Sequence, residues 1–172
     1  KDAGSRVYLS LIPDKNYFMA APNGYPSIDY EQFAEELQSR TGYMQYIDIF
    51  DLLELEDYYR TDAHWRQEKI LDVAARLAGG MGVELTGSYT RKKLEKPFYG
   101  VYYGQAALPI APEEMNYLTG GAIDTAAVYN YETDTEGGIY DAEKAAGRDP
   151  YEMFLSGSVS LLRIENPQNT SG

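Results

Sequence analysis

Two β-like runs, each followed by apolar residues at helical spacing, constrain this chain more than any other feature. The run RVYLSLIP at 6–13 is rich in β-formers and leads into Asp14-Lys15-Asn16, the pattern of a buried strand ending in a loop. Tyr30, Phe33, Ala34 and Leu37 then fall at i, i+3, i+4 and i+7, one apolar helix face that Ser27 or Asp29 can cap and Thr41-Gly42 can stop. A short strand pattern, QYIDI at 45–49, precedes a turn bearing Leu52, Leu53 and Leu55. Ile70, Val73, Ala74, Leu77, Ala78 and Met81 repeat the helical spacing, and Gly79-Gly80 mark where that helix frays or ends. Such alternation predicts an α/β layered domain with a largely parallel sheet.

The second half is less regular. Residues 87–122 mix basic, aromatic and glycine residues without a sustained period and read as an irregular insertion, a long loop or an uneven hairpin. Residues 123–131 alternate like a strand, 133–138 form an acidic turn, and 139–141 begin a return strand, so a β-hairpin is expected over 123–141. Ala142 to Ala146 read as a helical turn broken by Asp149-Pro150, and VSLLRI at 159–164 reads as a last buried strand. The ENPQNTSG that follows is turn chemistry, so the domain is expected to be incomplete at its C-terminus, as a single partial domain over 1–172.

Charge removes several partner classes. Fifteen basic against 27 acidic residues give a formal charge of -12, which repels nucleic acid and anionic membrane surfaces. The densest basic group, Arg91, Lys92, Lys93 and Lys96, fits a short solvated turn. No stretch approaches the roughly 20 apolar residues of a membrane span. The absence of cysteine excludes disulfides, thiolate zinc sites and cysteine nucleophiles. Seventeen tyrosines suit a wet, carbohydrate-facing surface, because a phenol has an apolar face and a hydrogen-bonding tip, and they suit half-buried packing equally well.

The chemistry concentrates in YYRTDAHWRQE at 58–68, which holds the only histidine and the only tryptophan. An Asp62-x-His64 spacing in a loop can set a carboxylate beside imidazole Nδ1, fixing the tautomer and leaving Nε2 as a base for a hydroxyl nucleophile. A metal site would have one imidazole and otherwise oxygen ligands, which disfavours zinc and copper. No metal or cofactor is therefore assigned. Glu132, Asp134, Glu136, Gly137, Ile139 and Glu143 sit at EF-hand-like offsets, yet the leading glutamate and the β-like flanks favour an acidic hairpin turn.

YYRTDAHW resembles the signature of the bacterial DHHW family, which is related to SGNH-type serine hydrolases and similar to alginate O-acetyltransferase proteins. PDKNY at 13–17, FYGVYYGQAAL at 98–108 and DPYEMFLSGSVSLLRIENP at 149–167 resemble that family in order and spacing, so the resemblance spans essentially the whole chain. It implies an SGNH-hydrolase-like fold and an O-acyl esterase or acyltransferase acting on a bacterial surface polysaccharide outside the cytoplasm. Asp62 matches the triad acid and His64 the triad base. Ala63 replaces the first histidine of the family name, and Arg66-Gln67 replace the usual Thr-Pro, so the helix start loses a cap and an N1 proline. The family nucleophile follows the strand that VSLLRI resembles, which places the expected serine beyond Gly172 and leaves the isolated chain inactive. Ser158 in its glycine-flanked turn is the weaker candidate. Trp65, Tyr59, Arg60 and Tyr103 are the candidate substrate-binding residues. The alternative is a carbohydrate-binding or scaffold module of the cell envelope without chemistry.

Overall fold

The computed structural model describes residues 4–107, 109–155 and 159–166, and the chain divides into two compact units, residues 1–85 and 86–172. In the first unit, β1 (Tyr8–Leu9) pairs in parallel with β2 (Gln45–Tyr46), Tyr8 opposite Gln45 and Leu9 opposite Tyr46. Two flanking bonds extend the ladder: Gln45 N–H donates to the Val7 carbonyl at 2.9 Å and Ile47 N–H to the Leu9 carbonyl at 2.8 Å. Both strands are shorter than their apolar runs. A ladder lasts only while both partners stay extended, and the chain after Ile49 coils into a 3-10 turn at Phe50–Leu52.

The parallel connection is filled by two helices. Asp14 is a helix cap rather than the start of a loop: its carboxylate accepts from Asn16 N–H at 2.8 Å, and α1 (Lys15–Asn23) runs from there until Gly24 adopts a left-handed φ of 69°. Aspartate serves turns and helix starts through the same side-chain acceptor, which is why the sequence pattern misled here. For α2 (Tyr30–Arg40), Asp29 is the cap and accepts from Gln32 N–H at 3.0 Å. Its apolar face is only half-covered, with Phe33 48% exposed. The α3 helix (Leu71–Gly80) begins after a 3-10 turn at Gln67–Lys69, and neither start has a side-chain cap. Ile49, Leu53 and Val73 form the buried centre of this unit, with Phe18, Leu52, Trp65, Ile70 and Leu77 packed against it.

The second unit is built from antiparallel pairs. β3 (Thr90–Lys93) and β4 (Asn116–Thr119) run antiparallel, with Thr90 opposite Thr119, and α4 (Val101–Ala106) lies in the long connection between them. The 87–122 insertion is thus an uneven hairpin with a helix in its loop, closed further by the Phe98–Glu113 bridge. Arg91, Lys92 and Lys93 lie on exposed β3, where Lys93 pairs with Glu114, and Lys96, in the bend that follows, donates to the carbonyls of Ala146 and Gly147. Residues 123–125, expected in a strand, coil with Ala122 into α5 (Ala122–Thr125), and β5 (Ala127–Asn130) follows. The return strand β6 (Thr135–Gly137) comes earlier than expected, because Asp134 at φ 56° completes the turn before residue 135. A further helix, α6 (Ala142–Ala146), starts on its Asp141 cap.

β7 (Leu162–Glu165) pairs antiparallel with β5 and leaves Ile164 55% exposed, so VSLLRI is an exposed edge and not a buried parallel strand. The largely parallel sheet is corrected accordingly: among the described residues only β1–β2 is parallel. An apolar run fixes neither strand direction nor burial on both faces, and of the described pairs only β5–β6 has a connection short enough to force antiparallel pairing. The EF-hand-like offsets fall on the β5–β6 turn, β6 and α6, and Glu132 accepts from Ser160 N–H at 2.8 Å, tying that turn to the chain entering β7.

Candidate active site on the Tyr58 to Arg66 hairpin

The loop carrying Asp62 and His64 is closed like a small hairpin. Tyr58 and Trp65 form an antiparallel bridge, Tyr59 N–H donates to the His64 carbonyl at 3.0 Å, and Arg66 N–H donates to the Asp57 carbonyl at 2.6 Å. Its entry is set by a reciprocal cap in which Glu54 N–H donates to the Asp57 carboxylate at 2.8 Å. Trp65, half-buried on the Ile49, Leu53 and Val73 cluster, anchors its exit.

Within this frame the two predicted side chains meet. Asp62 Oδ1 lies 2.5 Å from His64 Nδ1 and also accepts the His64 backbone N–H at 3.0 Å. The carboxylate is buried, 5% exposed, whereas the imidazole side chain is 52% exposed. A carboxylate acceptor at Nδ1 selects the Nδ1–H tautomer of a neutral imidazole and leaves the Nε2 lone pair for another group. The same contact stabilises an imidazolium once Nε2 takes a proton.

The β1–α1 junction holds the loop from below. Lys15 Nζ donates to the carbonyls of Tyr59 at 2.9 Å, Arg60 at 3.2 Å and Asp62 at 3.0 Å. The Tyr58 hydroxyl donates to the Pro13 carbonyl. Burial, followed by the nearby charges of Asp14 and Asp57, pushes the Tyr58 phenol up to about 12. Arg66 Nε donates to the Tyr58 carbonyl at 3.3 Å, and its guanidinium lies 4.8 Å from the centre of the Tyr59 ring. The PDKNY and YYRTDAHW stretches are thereby one structural object, linked across more than 40 residues.

The proposed substrate-binding residues separate. Arg60 is exposed and lines a cleft of about 340 Å³ together with Met19, Leu55 and Glu56. Tyr59 borders the same cleft but is fully buried, with the Arg66 guanidinium over its ring. Trp65 is half-buried, packed against the Ile49, Leu53 and Val73 cluster and bridged to Tyr58. Tyr103 belongs to the second unit, half-buried on α4 with its ring centre 4.7 Å from that of Tyr99. Ser158 lies outside the described residues. Lys15 and the Tyr58 hydroxyl make contacts with this loop that spacing missed, and the only signal for Lys15 was its place in PDKNY.

No protein-family model and no curated protein sequence matches the chain. Three solved structures do match in three dimensions. Bacillus cereus PatB1 aligns with a TM-score of 0.65 at 15% identity, over 95% of this chain and 63% of that one. PatB1 with a sulfonyl adduct aligns with a TM-score of 0.65 at 17% identity, over 96% and 61%. The O-acetyltransferase domain of Pseudomonas putida AlgJ aligns with a TM-score of 0.51 at 19% identity, over 71% and 51%. The chain therefore spans between half and just under two thirds of the length of these structures. At such identities the likeness is one of fold alone.

Proposed function

We propose that this chain is part of an SGNH-like, DHHW-type O-acyl esterase or acyltransferase that works outside the cytoplasm on acylated bacterial surface polysaccharide. The observation that carries the reading is the buried Asp62 carboxylate 2.5 Å from Nδ1 of an exposed His64, on a fold shared with an O-acetyltransferase domain. In the proposed reaction, a serine hydroxyl of the full-length protein gives its proton to His64 Nε2 as its oxygen attacks an acyl carbonyl. Asp62 stabilises the imidazolium, and backbone N–H groups hold the oxyanion. Collapse of the tetrahedral intermediate passes the proton to the leaving oxygen and leaves an acyl-serine. A sugar hydroxyl or water, deprotonated by the same Nε2, then takes the acyl group and restores the serine. The sulfonyl adduct of PatB1 supports a search for such a nucleophile, since sulfonyl electrophiles are trapped by activated hydroxyls. Arg60, in its cleft beside the dyad loop, is the proposed substrate contact.

The test uses the full-length protein and an acetyl ester donor. His64→Ala is expected to lower turnover by about 10³-fold or more while leaving the melting temperature near that of the parent. A carbohydrate-binding or scaffold module would show no ester turnover before or after the substitution.

A further inference from the structure

We infer that Lys15 is the positioning residue of the Asp62–His64 dyad, acting through the backbone of the loop that carries it; this rests on the proposed reading of that pair as a catalytic acid and base. Three carbonyl oxygens, those of Tyr59, Arg60 and Asp62, converge on one ammonium at 2.9, 3.2 and 3.0 Å. Oxygens gathered this closely repel one another, and left to solvent each would turn outward to water. An ammonium carries three N–H donors on one compact centre, so it can hold three inward-facing acceptors where a planar guanidinium is shaped for two in one plane. The carbonyl of Asp62 is itself one of the three, so the backbone that aims the Asp62 carboxylate at Nδ1 is fixed from its other side.

Lys15 is also held before it reaches the loop. It is the first residue of α1, and the preceding Asp14 carboxylate accepts both Asn16 N–H at 2.8 Å and the Tyr30 hydroxyl at 2.6 Å. The Tyr58 hydroxyl donates to the carbonyl of Pro13, two residues before Lys15. The lysine stem therefore starts from a capped helix end and finishes on the turn that presents the dyad. A displacement of about 1 Å at a reacting group can cost on the order of 10²-fold in rate, so the loss of such a tie should appear in catalysis before it appears in folding.

His64 is the only histidine, so the 15N-labelled chain has a single imidazole and its tautomer can be read by NMR at a pH where the ring is neutral. The Nδ1–H form is expected in the parent. Lys15→Met is expected to move the ring toward the Nε2–H form with amide dispersion kept. Lys15→Arg, whose planar fork meets fewer of the three carbonyls, should restore the Nδ1–H signal only in part, and Asp62→Ala serves as the reference for the ring without its carboxylate. Lys15→Gln, a milder change, gives the same reading if the methionine variant does not fold. In the full-length protein, Lys15→Met should lower kcat about 10- to 100-fold with KM within about twofold. A tautomer change in Asp62→Ala but in neither Lys15→Met nor Lys15→Gln overturns the role of Lys15 and leaves the dyad reading standing. An unchanged tautomer in Asp62→Ala overturns both.

Discussion

Tyr58 concentrates several effects in one side chain. It is 5% exposed, its hydroxyl donates to the Pro13 carbonyl, and its bridge to Trp65 closes the dyad loop. Its phenol ionises near 12 in the folded chain against an ordinary value of 10.0, because burial and neighbouring carboxylates oppose the phenolate. A folded-state value above the unfolded one means the stabilisation is complete below pH 10 and is lost as pH rises toward 12. Urea unfolding across that window should show Tyr58→Phe less stable than the parent by about 1 kcal/mol at neutral pH, from the lost hydrogen bond. The gap should close and then reverse as pH climbs toward 12, because the parent loses on the order of 2 kcal/mol for a fully coupled phenol and the phenylalanine variant has no phenol to ionise. Parallel pH profiles for the two proteins would rule this out. The dyad itself was legible at this scale, since one intervening residue suffices to bring Asp62 to Nδ1. Lys15 was not, because nothing in local spacing reports a contact made 44 to 47 residues away.

Among the elements, adjacent glycines in α3 make opposite demands. A Cβ built on Gly80 would lie 2.5 Å from Ile47 Cδ1 and 2.8 Å from its Cγ1, whereas one on Gly79 meets nothing within 4 Å. Gly80 is the close approach that lets the end of α3 pack on the chain leaving β2, where Ile47 is 8% exposed. Gly79→Ala should therefore stabilise by about 0.5–1 kcal/mol through helix propensity. Gly80→Ala should destabilise by about 1–2 kcal/mol despite the same propensity gain, since Ile47 must leave its packed position. Ile47→Val removes the nearest atom, so the double variant should cost less than the sum of its parts; strict additivity in thermal melts would argue against the contact. Both glycines read alike in sequence, as a helix end. The α2 helix was legible from its Asp29 cap and apolar spacing and α6 from its alanines, whereas α1 was missed although Asp14 caps it. Strands were legible in place but not in length, direction or exposure: β1 and β2 are two residues each, and VSLLRI carries no signal for antiparallel pairing or for the exposure of Ile164. Those properties belong to the partner strand, which a local pattern does not contain.

For the molecule as a whole, 172 residues are compatible with one domain, and the pattern of contacts divides the chain into residues 1–85 and 86–172. The two parts follow different rules. The first carries a parallel strand pair with helices in its crossover, while the second is made of antiparallel hairpins with short helices. The alternation that predicted an α/β fold lies wholly in the first half, and the loss of period from residue 87 was the sequence trace of the change. Residues 82–88 are exposed and belong to no helix or strand, with Gly82 at φ 78° and Gly87 at φ 140°. Backbone of this kind must fit a protease cleft in extended form and gives up few hydrogen bonds in doing so. Glu84 supplies a specific residue within it, and it is exposed. Brief digestion with a glutamate-specific protease should thus cut first after Glu84, giving fragments whose masses correspond to 1–84 and 85–172. Glu31, Glu35 and Glu36 are also available in sequence, but they sit in α2, where cleavage requires the helix to open. A first cut within α2 would mean that the helix, with its half-covered apolar face, opens more readily than the 82–88 segment adapts to the protease, and the order of local stabilities proposed here would be reversed.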